Sequence, residues 1–257
     1  MSKGRIKTKS SKRAECNPLP KRQQLGKGSA SKSRKGEPEG ESSCCVLITG
    51  FGGFPRARFN PTGHLVEKLA RIRRPVFAKT RIVTHVFPTH YAAIDRDLPA
   101  LIRRHRPDVI LMLGLAPRSI HLRIEMRGRN ALSILAADAQ GFTPRHRTIR
   151  PNAPADRRAG ASFARLLVAV RGFGVRTSLS RDAGCYVCNY LYWSALEYAE
   201  RTSKPPLVQF VHVPQIRNGG LRTPNTDRPS FAKLAAALQS LLAELIAQAR
   251  HLNLTAR

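Results

Sequence analysis

The segment richest in reactive groups is Asp182-Ala-Gly-Cys-Tyr-Val-Cys188-Asn189, which lies between a strand-like run and a helical pattern. A thiol at a helix N-terminus meets unpaired N–H groups and the positive end of the macrodipole, which lowers its pKa. Three readings of the pair are open. Either cysteine can be a small buried residue; Cys185 and Cys188 can form a redox dithiol or half of a metal site; or Cys188 can be a nucleophile. A zinc site needs a second pair at similar spacing, which the adjacent Cys44 and Cys45 do not supply. His212 ends the apolar run Val208-Gln-Phe-Val-His212. A lone strand histidine is commonly a satisfied core residue, yet at the carboxyl edge of a parallel sheet it is placed to reach a helix-start thiol. Glu125 stands between Arg123 and Arg127. It is either a plain ion-pair partner or a carboxylate that fixes the tautomer of an imidazole.

A second feature is the turn Gly50-Phe-Gly-Gly-Phe54, which follows the apolar run Cys45–Thr49. It lacks the third glycine of a dinucleotide fingerprint, and no Gly-Lys-Ser/Thr follows, so neither a Rossmann turn nor a P-loop is present. Phe51 and Phe54 remain, at the carboxyl end of a first strand, where open α/β sheets bind ligands. They are ordinary core residues or the walls of a pocket for a flat apolar ring.

These groups need a frame, and the hydrophobic pattern supplies one. Strands are expected at 45–49, 81–87, 109–113, 175–179 and 207–213. Residues 120–125 form a two-faced strand, with Ile120, Leu122 and Ile124 alternating against His121, Arg123 and Glu125. Helices are expected at 61–72, opened by Asn60 and Pro61, and at 91–104, 161–171, 186–200 and about 230–249. Residues 136–158, rich in Pro, Asp and Gly, read as a long loop. Alternating strands and helices specify a single three-layer α/β/α domain over 44–257 with a mostly parallel central sheet.

Composition narrows the function classes. The chain has 45 Lys and Arg against 16 Asp and Glu, a formal charge of +29. Residues 1–43 are Lys-, Ser- and Gly-rich and hold too few large apolar side chains to offset their ordering entropy, so they are expected to be a disordered basic extension. The rest is Arg-rich. Such a charge favours polyanions non-specifically, but no zinc-finger, RRM or zipper pattern accompanies it. The longest uncharged apolar run, Val109 to Pro117, is too short to cross a bilayer, and no apolar signal segment opens the chain. Five cysteines, two of them adjacent, do not read as a disulfide scaffold, so a reducing, cytoplasmic setting is expected.

Taken together, the turn with its two phenylalanines, Glu125, Ala183-Gly-Cys-Tyr-Val-Cys-Asn189 and Phe210-Val-His-Val-Pro214 resemble the pyroglutamyl peptidase I (pyrrolidone-carboxylate peptidase) family of cysteine peptidases over roughly residues 45–250. The resemblance implies Cys188 as nucleophile, His212 as base and Glu125 as third member. It also implies Phe51, Phe54, Tyr186 and Val187 as substrate-binding positions, and Asn130 matches the family's Glu-x-x-x-x-Asn. Implied with these are peptide substrates bearing an N-terminal pyroglutamate, a thioester intermediate, no metal and no cofactor. A homo-oligomer and non-specific polyanion binding complete the expected partners, and no membrane is among them. The chain departs from the family pattern at Gly53 and Pro55 in the turn, at Gly114-Leu-Ala-Pro-Arg118, and at Leu135, where the family carries an arginine. The competing readings are a cysteine hydrolase of altered specificity, a thiol–disulfide oxidoreductase built on Cys185 and Cys188, and a basic nucleic-acid-binding protein.

Overall fold

The computed structural model describes residues 44–53, 59–217 and 227–255. The expected basic extension and Phe54 lie outside them. The elements in order are β1 (Cys44–Phe51), α1 (Pro61–Ala70), a short 3-10 turn (Pro75–Phe77), β2 (Thr80–Phe87), α2 (Tyr91–His105), β3 (Val109–Ala116) and β4 (Leu122–Glu125). There follow β5 (Arg127–Arg129), β6 (Asp156–Arg158), α3 (Phe163–Val170), β7 (Thr177–Ser180), α4 (Val187–Glu200), β8 (Leu207–Pro214) and α5 (Phe231–Thr255).

Six strands form one sheet in the order β2-β1-β3-β8-β4-β7. The pairs β1·β2, β1·β3 and β3·β8 are parallel. β4 runs antiparallel to β8, and β7 parallel to β4, so these two strands are reversed against the other four. β1, β3 and β8 carry near-continuous apolar runs because both faces are covered. On one face Val46, Ile48, Leu111, Val211 and Ile124 pack with α1, α3 and α5. On the other, Leu47, Phe51, Ile110, Met112 and Phe210 pack with α2 and α4. The result is the expected three-layer α/β/α domain.

Several helix ends follow from local chemistry. The Asn60 side chain caps α1 by accepting from Thr62 N at 3.1 Å, with Pro61 in the first turn. Thr62 Oγ1 in turn accepts from Phe51 N and donates to Phe51 O, both at 3.0 Å, which ties the start of α1 to the end of β1. His90 caps α2 through Ala93 N. No side-chain bond caps α4 at Tyr186, so its first-turn N–H groups are not consumed there.

Two expectations need correction. The loop expected at 136–158 ends in β6, which pairs antiparallel with β5, so the irregular connection is 130–155. The last helix also runs on to Thr255. By length and apolar composition α5 is the one helix among the described residues able to span a bilayer. Here it is a core helix, with Leu234, Leu238, Leu241, Leu242 and Leu245 fully buried.

Candidate functional site

In the order β2-β1-β3 the strands on either side of β1 are reached by connections that step in opposite senses across the sheet, and in such sheets the crevice for a ligand opens at the carboxyl ends of the strands at that switch point. The turn after β1, the end of β3 and the start of α4 all meet there. Hydrogen bonds stitch its walls. Thr89 Oγ1 donates to Gly52 O at 3.3 Å, and Ala139 N donates to Thr89 O at 3.0 Å. Tyr91 N donates to Asp138 Oδ2 at 3.1 Å, and Tyr186 Oη to Ala137 O at 2.9 Å.

Strand register brings the sequence-predicted acid and imidazole together. In the antiparallel pair, Arg123 lies opposite His212 and Glu125 opposite Phe210. Glu125 and His212 are therefore diagonal neighbours on one face, within reach across the sheet. His212 Nδ1 lies 2.8 Å from Glu125 Oε1, with Glu125 fully buried and His212 6% exposed. Arg123 Nη2 lies 3.1 Å from the same oxygen. Tyr192 Oη and Gln209 Nε2 donate to the Glu125 carbonyl at 2.8 and 2.9 Å, which holds the backbone beneath the carboxylate. With Nδ1 donating to a carboxylate, the neutral ring keeps its lone pair on Nε2.

Cys188 reaches the same place from α4. Gly114 is the register partner of His212 across β3·β8. A Cβ on Gly114 would lie 3.0 Å from Cys188 Sγ and 2.7 Å from Phe210 Cζ. The sulfur thus sits against bare backbone, at the level of His212, on the face that carries Phe210, whose ring centroid is 4.8 Å from that of His212. The expectation of a lowered thiol pKa is not met. Burial pushes the Cys188 thiol up to about 12, and the Glu125 charge adds to the rise; only the residue's own backbone N–H acts the other way. Enclosure outweighs the helix end here.

The remaining expected positions are distributed as follows. Phe51 is 2% exposed and packs on Phe87 with ring centroids 6.1 Å apart, at the closed side of the crevice. Val187, the first residue of α4, is fully buried, and Tyr186 is half-buried at the cap of that helix. Cys185 is half-buried and its carbonyl accepts from Ser133 N. Asn130 organises the 130–155 connection, its Oδ1 accepting from Ile149 N and Arg150 N. Asn189, beside the thiol, is fully buried and makes three bonds to the backbone of Arg129 and Ala131. Among the described residues no group of three or more His, Cys, Asp and Glu side chains is placed to hold a metal ion.

Three contributors were not singled out as site residues from the sequence. Gly114 matters because it has no Cβ, and its signal was a glycine inside an apolar strand run. Asp138 folds the loop back on itself, Oδ1 accepting from Gln140 N and Phe142 N. Its signal was an Asp in a Gly-containing turn stretch. Tyr91, at the start of α2, gave no signal beyond helical periodicity.

Known proteins resemble this chain over most of its described length. Residues 44–251 match the pattern of the pyroglutamyl peptidase family. The pyrrolidone-carboxylate peptidase of Bacillus subtilis is 27% identical over 171 residues, 66% of this chain and 78% of its own length. That of Thermococcus kodakarensis is 28% identical over 187 residues, 73% of this chain and 87% of its own. The crystal structure of Bacillus amyloliquefaciens pyroglutamyl peptidase I superposes with a TM-score of 0.69 at 25% identity, covering 79% of this chain and 97% of that one.

Proposed function

The chain belongs to the pyroglutamyl peptidase family of cysteine peptidases, and from that premise we propose that Cys188, His212 and Glu125 are its nucleophile, general base and orienting carboxylate. The observation that carries this reading is the 2.8 Å contact of His212 Nδ1 with Glu125, with Cys188 Sγ set over the register partner of His212.

Pyroglutamate is a neutral lactam without a free α-amine, so its pocket needs apolar walls and hydrogen bonds rather than an anionic group. Phe51 and Val187 supply buried apolar surface there, with Tyr186 half-buried at the cap of α4, and Phe54 is assigned to the same subsite from its place in the turn sequence alone. Because the resting thiol is held protonated by burial, proton transfer accompanies attack. As Cys188 Sγ bonds to the carbonyl carbon that follows the ring, its proton passes to His212 Nε2. Glu125 stabilises the imidazolium that results. The uncapped first-turn N–H groups of α4 are donors for the oxyanion. Collapse of the tetrahedral intermediate breaks the C–N bond, and His212 protonates the departing amine. Water, deprotonated by His212, then hydrolyses the thioester and frees pyroglutamate and the thiol.

The four described cysteines are free thiols, in keeping with the cytoplasmic setting we assign. The test is hydrolysis of a fluorogenic pyroglutamyl amide by the wild type and by Cys188→Ala. Turnover in the wild type and none in the variant is expected. A folded wild type that turns over no such amide would overturn the assigned substrate.

A further inference from the structure

We propose that Tyr91 is a specificity-determining residue whose hydroxyl donates a hydrogen bond to the ring carbonyl of the bound pyroglutamyl group. The inference rests on the substrate assigned above.

Tyr91 is only 5% exposed, and its Oη has no hydrogen-bond partner among the described residues. Its neighbours differ. Tyr186 Oη donates to Ala137 O, Tyr190 Oη to Asp95 Oδ1 and Tyr192 Oη to Glu125 O. A buried hydroxyl left over from such a set calls for an explanation, and a ligand acceptor is one. The ring is well fixed. It packs edge-on against Phe142, Tyr186 and Tyr190, with centroids 6.0, 6.1 and 5.2 Å away, and the Asp138 bond pins its backbone.

The ring also stands in the right neighbourhood: it packs on Tyr186, the cap of α4, and its backbone is tied to Asp138 of the crevice wall. Burial raises the phenol pKa far above its ordinary value, so the group stays neutral and keeps its proton to donate. What suits this position is a flat apolar ring bearing one acceptor at its edge, walled by aromatic rings. A lactam carbonyl on a five-membered ring has that form.

The experiment compares the wild type with Tyr91→Phe in three assays: hydrolysis of the pyroglutamyl amide, competitive inhibition by 2-pyrrolidone, and inactivation by iodoacetamide, which carries no ring. A bond to the ring is made equally in ground and transition states, so its loss falls on KM. In Tyr91→Phe, kcat/KM is expected to fall about 10- to 100-fold through KM. The inhibition constant of 2-pyrrolidone should rise by a similar factor, with the iodoacetamide rate and the melting temperature unchanged. Unchanged kcat/KM and 2-pyrrolidone inhibition would overturn the proposal. So would a parallel loss of iodoacetamide reactivity, which would mean that the hydroxyl serves the thiol. If the wild type turns over no pyroglutamyl amide, the substrate reading fails, and direct binding of 2-pyrrolidone decides the inference alone. Binding that Tyr91→Phe weakens sustains it, and no binding to the wild type overturns it.

Discussion

Replacing Gly114 by alanine adds a single methyl group at the point where three parts of the site touch. The new Cβ would lie 2.7 and 2.8 Å from Phe210 Cζ and Cε1, and 3.0 Å from Cys188 Sγ. Non-bonded carbon atoms settle about 3.5–4.0 Å apart, so the ring edge must withdraw by about 1 Å and the sulfur by about half as much. The ring has no free space. Phe210 is fully buried and packs on both Tyr192 and His212, at 5.5 and 4.8 Å between centroids. Moving the ring therefore moves the imidazole, while moving the sulfur shifts the start of α4. Overpacking of this kind costs about 1–3 kcal/mol, or roughly 3–10 °C in melting temperature for a domain of this size. A displacement of about 1 Å between reacting groups costs about 100-fold in rate. Steady-state hydrolysis of the pyroglutamyl amide, with a thermal melt on the same preparation, measures both. A variant within about threefold of wild-type kcat/KM would refute the placement of the sulfur over β3, whatever its stability.

Other outcomes follow from the same contacts. Glu125→Gln keeps the side-chain volume but removes the charge beside His212 and Arg123; kcat should fall by about 10³- to 10⁴-fold, and the melting temperature should fall as well, since Arg123 loses its buried ionic partner. Alkylation of Cys188 by iodoacetamide in the free protein should be slow near neutrality and climb above pH 9, because burial holds the thiol up to about 12; a rate plateau already reached below pH 8 would reveal a resting thiolate. Both Cys188 and Cys44, the latter raised to about 11 by burial, keep their protons in the folded state at pH values where the unfolded chain loses them. Their contribution to stability is thus complete below about pH 9 and is lost as the pH rises toward 11 and 12, which denaturant midpoints across that range will register as a falling trend. Asn189→Ala strands the Arg129 N–H and two carbonyls in a buried place and should cost about 2–4 kcal/mol in a urea titration.

Much of this arrangement was written plainly in the chain. The runs forming β1, β3 and β8 are apolar because both faces are covered, and the alternation at 122–125 marks a strand with one face toward α4. Residue types alone made Glu125, Cys188 and His212 candidates. Their meeting was not legible, because it depends on the direction of β4. Period-two alternation reads the same forwards and backwards, and the partner strand lies more than eighty residues later. The β5–β6 hairpin escaped for a different reason. Arg127-Gly-Arg129 and Asp156-Arg-Arg158 contain no β-branched or aromatic residue, and the pairing is held instead by contacts such as Arg127 with Asp156 at 2.6 Å and Arg157 over Trp193 at 4.6 Å. The thiol's electrostatics also belonged to tertiary structure, since the helix end is local but the enclosure comes from β3, β8 and Glu125.

The last strand among the described residues to leave the ribosome, β8, is not at the margin of the sheet but in its interior, between β3 and β4. Until residue 214 has been synthesised, the apolar β3 presents an open edge, and β4 with β7 has no partner to join. Nascent chains stalled before that point would carry a ready template for wrong strand pairing. Acid, sulfur and imidazole therefore cannot meet piecemeal during translation: they come into register only when one late segment is threaded into the gap that waits for it.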